Sequence, residues 1–346
     1  VRVLSDFHHG DLYRSLQMLF EKRLGWELYR PIGMDWFEEG FWKIAEPYGN
    51  YIGTVRQFLD PNIGGEYDSG KNLNANYKLE DGIYRVWDPG NESHQRAITL
   101  KTFKEMDIDI VISSYGPHDD AYERLIREYK SKAKHVSQVG NIYQGSSVKN
   151  VMCSTAPFRT NPDQNIVFYH QEFDLNTFKY VHPGNSSDIT SFVNCLPEKE
   201  VFDWYKGSLP EFRFRAFGAA CPDGTIQSLK SIADIMSNSM FGWHLKPGGD
   251  GYGHCAHNWS ACGRPVIIKG SQYRGKLAGR LFIHEKTCID LERYSNQTNA
   301  VSAIRYYSEP ARHLEMCENM YAKFKEVVDF DAEEIELIKF FERVLG

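Results

Sequence analysis

Apolar positions across residues 11–24 recur at a helical period: Leu12, Leu16, Leu19 and Phe20 share one face, and Gly25 stands where such a helix ends. Residues 1–5 (VRVLS) read as a short strand and 7–11 as a polar turn, so the chain opens as strand–loop–helix. Residues 35–97 lose the period. They are rich in Trp, Tyr, Gly, Asn and Pro, and read as a long elaborated loop region with short helices, the kind of segment that usually carries function. Alternation then resumes, predicting a helix at 97–106, a buried strand at 108–113, a helix at 121–133, and strands at 136–139, 148–154 and 165–169. The stretch HPGNSSD at 182–188 has linker composition. A second set follows it, with strands predicted at 189–193, 212–217, 242–245, 265–269 and 281–283. Helices are predicted at 198–206, 226–238, 300–307 and 313–328. The tail at 331–346 reads as an amphipathic helix with Ile335, Ile338, Phe341 and Leu345 on one stripe. This βαβ rhythm in two sets predicts an α/β protein with parallel sheets.

Composition narrows the picture. The 346 residues suffice for two domains. A formal charge of -6 disfavours a life on bare nucleic acid, which usually demands a basic footprint. Aromatics at 14% suit sites for sugars and bases as well as cores. No apolar run reaches the length of a membrane span, and the N-terminus meets charge at once, unlike a signal peptide. The seven cysteines are scattered without a CxxC pair, which fits free thiols in a reducing compartment. The cytoplasm is the expected location.

The most unusual stretch is 246–267, KPGGDGYGHCAHNWSACGRPVI. His254 and His257, with Cys255 and Cys262 nearby, could suggest a metal. They sit within one predicted helix with no second pair at finger-like spacing, so no metal site is expected. A strand, a Gly-rich turn and a helix make a better case for phosphate, because backbone N–H groups at a helix N-terminus attract anions and Lys246 adds a mobile cation. The turn is neither a Walker loop nor a dinucleotide fingerprint.

The same residues resemble the donor-site signature of GT-B glycosyltransferases, especially the retaining nucleotide-sugar type. In that signature an acidic–Gly–aromatic–Gly block is followed by four variable residues, Glu, and Ala-x-x-Gly-x-Pro-Val. Asp250, Gly251, Tyr252 and Gly253 fill the first block, Asn258 stands at the Glu position, and Ala261, Gly263, Pro265 and Val266 complete the register. Asn258 and Trp259 depart from the family pattern. Strong local identity spans about 20 residues of the chain, by the order of magnitude such motifs cover.

The resemblance implies a GT-B fold, with two Rossmann-like domains facing each other across a cleft. It implies an acceptor-binding domain at 1–182 with the aromatic elaboration 35–97, a nucleotide-sugar domain at 183–328, and a C-terminal helix at 329–346 packing back on the first domain. It further implies metal-independent transfer of a sugar from a UDP- or GDP-sugar, with no tightly bound cofactor, to a hydroxyl acceptor. Lys246, Gly249, Asp250, Gly251, Tyr252 and Gly253 would face the donor sugar and phosphates, and Asn258 the ribose.

Catalytic candidates lie in loops after parallel strands, which face ligands. Inverting members of the family carry a base histidine in such a loop. His9 is the first candidate and His8 the second, followed by His118 and Asp119, with Asp119 or Asp120 also available to cap the helix at 121–133. Asp107 and Asp109 read as fold, and Arg264 and Lys269 as solvated residues at the far end of the donor unit. The Gly-turn motif points to retention and the histidines to inversion. The acceptor stays open among glycans, lipid carriers, small molecules, proteins and a hydroxylated DNA base. The alternatives are a nucleotide-sugar epimerase or phosphorylase on the same frame, or a non-catalytic sugar- or nucleotide-binding protein.

Overall fold

The computed structural model describes residues 1–5, 10–32, 36, 77–88, 93–113, 116–140, 146–155, 163–193, 196–226, 228–246 and 250–346. The chain forms two compact units. The first comprises Val1–Ser154, Phe158–Glu172 and Asp331–Gly346, and the second Thr155–Pro157 and Phe173–Phe330.

In the first unit, β1 (Arg2–Ser5) leads to α1 (Gly10–Gln17), which widens into a π-helical turn at Met18–Arg23. Then come β2 (Glu27–Pro31), β3 (Tyr77–Glu80), β4 (Ile83–Asp88), β5 (Ser93–Ile98), α2 (Leu100–Glu105), β6 (Ile110–Ser113), α3 (Gly116–Tyr129), β7 (Lys134–Val139), β8 (Asn150–Cys153) and β9 (Asn165–Phe168). The sheet order is β3-β4-β5-β2-β1-β6-β7-β8-β9; β3, β4 and β5 pair antiparallel and the rest parallel.

Two expectations are corrected here. Residues 77–80, 83–88 and 93–96, read as loop, lie in strands β3, β4 and β5; Asp81 and Gly82 turn β3 into β4 with φ of 51° and 78°, the left-handed pair that a tight hairpin requires. Residues 97 and 98, read as helix, end β5 beside Arg30 and Pro31 of β2, and α2 starts only after Thr99, whose hydroxyl accepts from Thr102 N at 3.1 Å. β2 lies in sequence for which no element is predicted.

Most of the aromatic stretch at 35–76 lies outside the described residues. Asp109 behaves as fold, accepting from Arg2 N at 2.8 Å.

The C-terminal helix α9 (Phe330–Leu345) buries Leu337, Phe340, Phe341 and Val344 against Val3, Leu16 and Phe20. The predicted stripe is therefore rotated: Ile335 and Ile338 are 55% and 37% exposed. Phe340 and Phe341 have more apolar area to remove from water than the two isoleucines, so their side of the helix turns inward. Arg23 holds the start of the helix through Asp331 and Glu334, and Glu333 accepts from His170 N at 2.7 Å.

The second unit contains β10 (Asp188–Ser191), α4 (Lys199–Ser208), β11 (Arg213–Ala216), α5 (Leu229–Asn238), β12 (Phe241–Trp243), α6 (His254–Ala261), β13 (Val266–Ile268), β14 (Cys288–Asp290), α7 (Gln297–Ser308) and α8 (Pro310–Val327). Its strands are all parallel in the order β11-β10-β12-β13-β14. The strand expected at 281–283 is not there. Leu281 is buried by a 3-10 turn at Ala278–Leu281, Ile283 is exposed, and the edge strand forms at 288–290 with Cys288 and Ile289 inside.

Trp259 and Arg264 explain how this unit packs. Trp259 is fully buried, and its indole lies where a Cβ on Gly242 would sit 2.8 Å from the ring, so β12 needs glycine there. Gly242→Ala is expected to cost about 1–3 kcal/mol through overpacking, read as a lower midpoint in thermal or denaturant unfolding. Arg264, expected at the solvated surface, is instead fully buried. Its guanidinium donates to the carbonyls of Ser237, Cys262, Gly263 and Val181. Ser237 lies in the last turn of α5 and Cys262 caps the end of α6. One cation therefore satisfies two helix C-termini, where carbonyls lack partners and the dipoles are negative. Among the described residues the six cysteines are free thiols, and no helix is long and apolar enough to cross a membrane.

Candidate functional site

A doubly wound parallel sheet opens a crevice at the carboxyl ends of its strands where the strand order reverses. In the second unit the chain moves from β10 to β11 on one side and then to β12 on the other, so the reversal falls between β10 and β12. The segment leaving β12 is the Gly-rich turn. Gly249 lies outside the described residues, and the description resumes at Asp250. Gly253 takes the left-handed conformation at φ 83° and opens α6 without a capping side chain. A Cβ there would add strain in a conformation that L side chains rarely adopt. Tyr252 is buried and stacks on His257 at 4.1 Å between ring centroids, and the His257 ring is also within 2.9 Å of the Gly253 carbonyl. His254 meets the edge of Tyr252. The turn is thus held by its own aromatic side chains.

Asp250 is the centre of the site. It is only 6% exposed, yet three basic groups converge on it. His244 Nε2 lies 2.5 Å from Oδ2 and Lys246 Nζ 2.5 Å from Oδ1. Lys276 Nζ donates to the Asp250 backbone carbonyl at 2.5 Å. Burial pushes the Asp250 pKa up, but His244 and Lys246 outweigh it and hold the carboxyl well below its usual range. Burial pulls the Lys276 pKa down; the Asp250 charge partly offsets this and the Lys246 charge adds to it. Tyr273, fully buried, keeps its hydroxyl well above the ordinary range, first by burial and then by the Asp250 charge.

A carboxylate whose folded pKa is depressed stabilises the fold above its unfolded value of about 4 and loses that contribution as pH falls through the folded value. The midpoint of unfolding is expected to fall as pH drops below about 4, and to fall less steeply in Asp250→Asn; a thermal melt across pH 2–6 checks this.

Lys246 N also donates to Gln272 Oε1 at 2.8 Å. Lys269, expected to be solvated, instead pairs with Glu198, a left-handed residue at the start of α4. Asn258, one turn into α6, is half-buried, and its Oδ1 has no hydrogen-bond partner among the described residues.

The structure therefore brings Lys246, Asp250, Gly251, Tyr252, Gly253 and Asn258 into one region of the second unit. Sequence reasoning missed His244 and Lys276. The signal for His244 was its place at the carboxyl end of a strand; Lys276 sits in a Gly-punctuated loop after β13, with no motif around it.

The candidates of the first unit fare differently. His8 and His9 lie outside the described residues. His118 lies on α3, with its side chain also outside them. Asp119 is buried inside the first turn of α3, which starts at Gly116, so it is not the N-cap of a helix starting at 121. Both its oxygens are engaged: Oδ1 by Ser113 and Ser137 at 2.5 and 3.0 Å, and Oδ2 by Ser146 at 2.7 Å. Burial raises its pKa and the serines oppose that. His135, 2.9 Å from the Ser113 hydroxyl, is pushed down to about 4 by burial. Asp119 ties β6 and β7 to α3 through these contacts.

Two Rossmann-like α/β units, each built on a largely parallel sheet, define a GT-B fold. Solved structures share it across the whole chain. A glycosyltransferase from Rickettsia africae matches at a TM-score of 0.62 and 12% identity, covering 100% of this chain and 98% of that one. Sucrose-phosphate synthase from Thermosynechococcus elongatus matches at 0.62 and 12%, covering 99% and 98%. Anabaena HepE in complex with UDP-glucose matches at 0.60 and 10%, covering 99% of each chain. At these identities the likeness is one of fold. No protein-family model matches the sequence, and no curated protein is similar to it in sequence.

Proposed function

We propose that this protein is a glycosyltransferase that takes a sugar from a UDP- or GDP-sugar held by the second unit and passes it to a hydroxyl acceptor held by the first. The observation that carries the reading is the pair of lysines gathered around buried Asp250, beside a glycine-opened helix at the switch point. Departure of a nucleoside diphosphate leaves negative charge on its phosphates. Lys246, Lys276 and the N-terminus of α6 supply fixed positive potential for it. Asp250 and the backbone of Gly251, Tyr252 and Gly253 would face the donor sugar, and Asn258 Oδ1 the ribose hydroxyls. The base would come from the loop that follows β1, His9 first and His8 second, with His118 a further candidate and Asp119 a positioning group. The fold shared with a structure holding UDP-glucose adds support for the nucleotide sugar.

With lysines in this role the transfer needs no metal ion. The test is release of nucleoside diphosphate from UDP- and GDP-sugars, with a panel of hydroxyl acceptors, with and without a chelator. Acceptor-dependent release from one nucleotide series, unchanged by the chelator, is expected. Release abolished by the chelator would sink the metal-independent mechanism. A nucleotide sugar converted to its isomer without any acceptor would instead identify an epimerase.

A further inference from the structure

From residue 251 to residue 284 the chain carries no Asp or Glu, although its formal charge is -6. Five lysines and arginines stand in that stretch. Arg264 is buried between two helix ends, Lys269 pairs with Glu198, and Lys276 donates to the Asp250 carbonyl. Arg274 and Arg280 remain. Both are exposed, and neither side chain has a hydrogen bond, ion pair or ring contact among the described residues. The other six arginines of the second unit each touch a carboxylate, a carbonyl or an aromatic ring. We propose that Arg274 and Arg280 form a second anion subsite on the rim of the donor site, and that it takes a phosphate monoester carried by the acceptor. The proposal names the acceptor class and rests on the reading that the site transfers a sugar from a nucleotide sugar.

The loop after β13 brings the two arginines together. It contains one 3-10 turn at Gly270–Tyr273 and another at Ala278–Leu281. Gly275, left-handed at φ 75°, lets the chain double back between them. Gly279 then lies so close to Tyr273 that a Cβ on it would meet the Tyr273 carbonyl oxygen at 2.3 Å. Arg274 follows Tyr273 and Arg280 follows Gly279, so their backbones run side by side. Tyr273, Leu277, Ala278 and Leu281 are buried and hold the loop from beneath. Ala278 Cβ is 3.5 Å from the place a Cβ would take on Gly253, where α6 opens. The arginines are thus anchored beside the donor site.

Neighbouring cations with no acid between them repel, and a bound anion relieves the repulsion. Glu292 feels the Arg274 charge, but its oxygens take Ser271 N and Oγ at 2.7 and 2.6 Å. The donor diphosphate has Lys246, Lys276 and the N-terminus of α6. Lys276 is half-buried and reaches inward to Asp250, whereas the arginines are exposed and stay open to a second anion with the donor in place. The acceptor hydroxyl must come up to the donor sugar, which brings the rest of the acceptor to this rim. Guanidinium forks suit carboxylates and phosphates alike. One fork fills both oxygens of a carboxylate, and a phosphodiester also has only two free oxygens. A phosphate monoester has three, enough for two forks to share. A sugar or polyol phosphate is therefore the acceptor class that fits.

Calorimetry with glycerol 3-phosphate as the probe tests this, on protein saturated with UDP or GDP so that the donor phosphates are already in place. Wild type is expected to bind it, and to bind dimethyl phosphate and acetate about tenfold more weakly or worse. The double variant Arg274→Gln/Arg280→Gln changes only exposed side chains, so its melting temperature should stay within a few degrees of wild type. It is expected to lose about tenfold or more of the affinity for glycerol 3-phosphate, and to bind UDP-glucose or GDP-mannose within about threefold of wild type. No binding of glycerol 3-phosphate to wild type, or equal binding by the double variant, would overturn the subsite. Equal binding of dimethyl phosphate or acetate would overturn the monoester class. A double variant that loses nucleotide-sugar affinity in step would assign the arginines to the donor phosphates, and the second subsite would fall while the donor site stands. Wild type that binds neither nucleotide sugar would overturn the reading on which the proposal rests.

Discussion

Replacing Lys246 and Lys276 together with alanine is expected to weaken nucleotide-sugar binding by about 100-fold or more. On the proposed reading each lysine makes a charge-assisted hydrogen bond to a phosphate, worth about 1.5–3 kcal/mol, and every 1.4 kcal/mol is about a factor of ten. The loss is sharpened because Asp250 stays behind. Its negative charge, now held by His244 alone, would face the incoming phosphates. Lys246 is half exposed and Lys276 donates to a backbone oxygen, so the double variant is expected to fold, with a melting temperature within a few degrees of wild type. Calorimetry gives the affinity and a melt gives the fold. A change in affinity of less than about threefold in a folded double variant would show that the phosphates lie elsewhere, since even one such bond is worth more.

Arg264→Ala is expected to be the most destabilising single change in the second unit, at about 3–5 kcal/mol. The guanidinium is fully buried and serves four carbonyls, two of them at the ends of α5 and α6. Removing it leaves those carbonyls without donors and opens a cavity. For a unit of this size about 2–4 °C of melting temperature is lost per kcal/mol, so a drop on the order of 10 °C is expected. Arg264→Lys should recover little, because an ammonium cannot span the carbonyls reached by the planar fork. A melting temperature within about 2 °C of wild type for Arg264→Ala would contradict the two-helix cap, because the loss of one ordinary hydrogen bond would then account for it.

Much of the second unit was legible in the sequence because its elements follow strong local rules. The strands at 189 and 266 are short apolar runs bounded by turn residues. The unbroken motif from Asp250 to Val266 correctly placed turn, helix and strand. What failed depended on contacts distant in sequence. Arg264 looks like any loop arginine until α5 and the carbonyl of Val181 come beside it. His244 and Lys276 are 32 positions apart in sequence, and only the parallel pairing of β12 with β13 brings their loops to one carboxylate.

In the first unit, the Asp81–Gly82 pair was a hairpin signal that could have been read, but the aromatic and polar composition around it hid the alternation of β3 and β4. The last helix carries apolar residues on more than one face, so period alone could not decide which face turns inward; the partners in the first unit did. Asp119 is held by three serine hydroxyls, from β6, β7 and the segment before β8, contacts that its position after a strand does not reveal.

The most direct measurement is a crystal structure with a non-transferable UDP- or GDP-sugar analogue bound. The diphosphate is expected at the N-terminus of α6, with Lys246 turned from Asp250 to a phosphate oxygen, His244 still on the carboxylate, and the ribose hydroxyls donating to Asn258. A diphosphate bound away from Gly251–Gly253, or Lys246 still seated on Asp250 with the ligand in place, would contradict it.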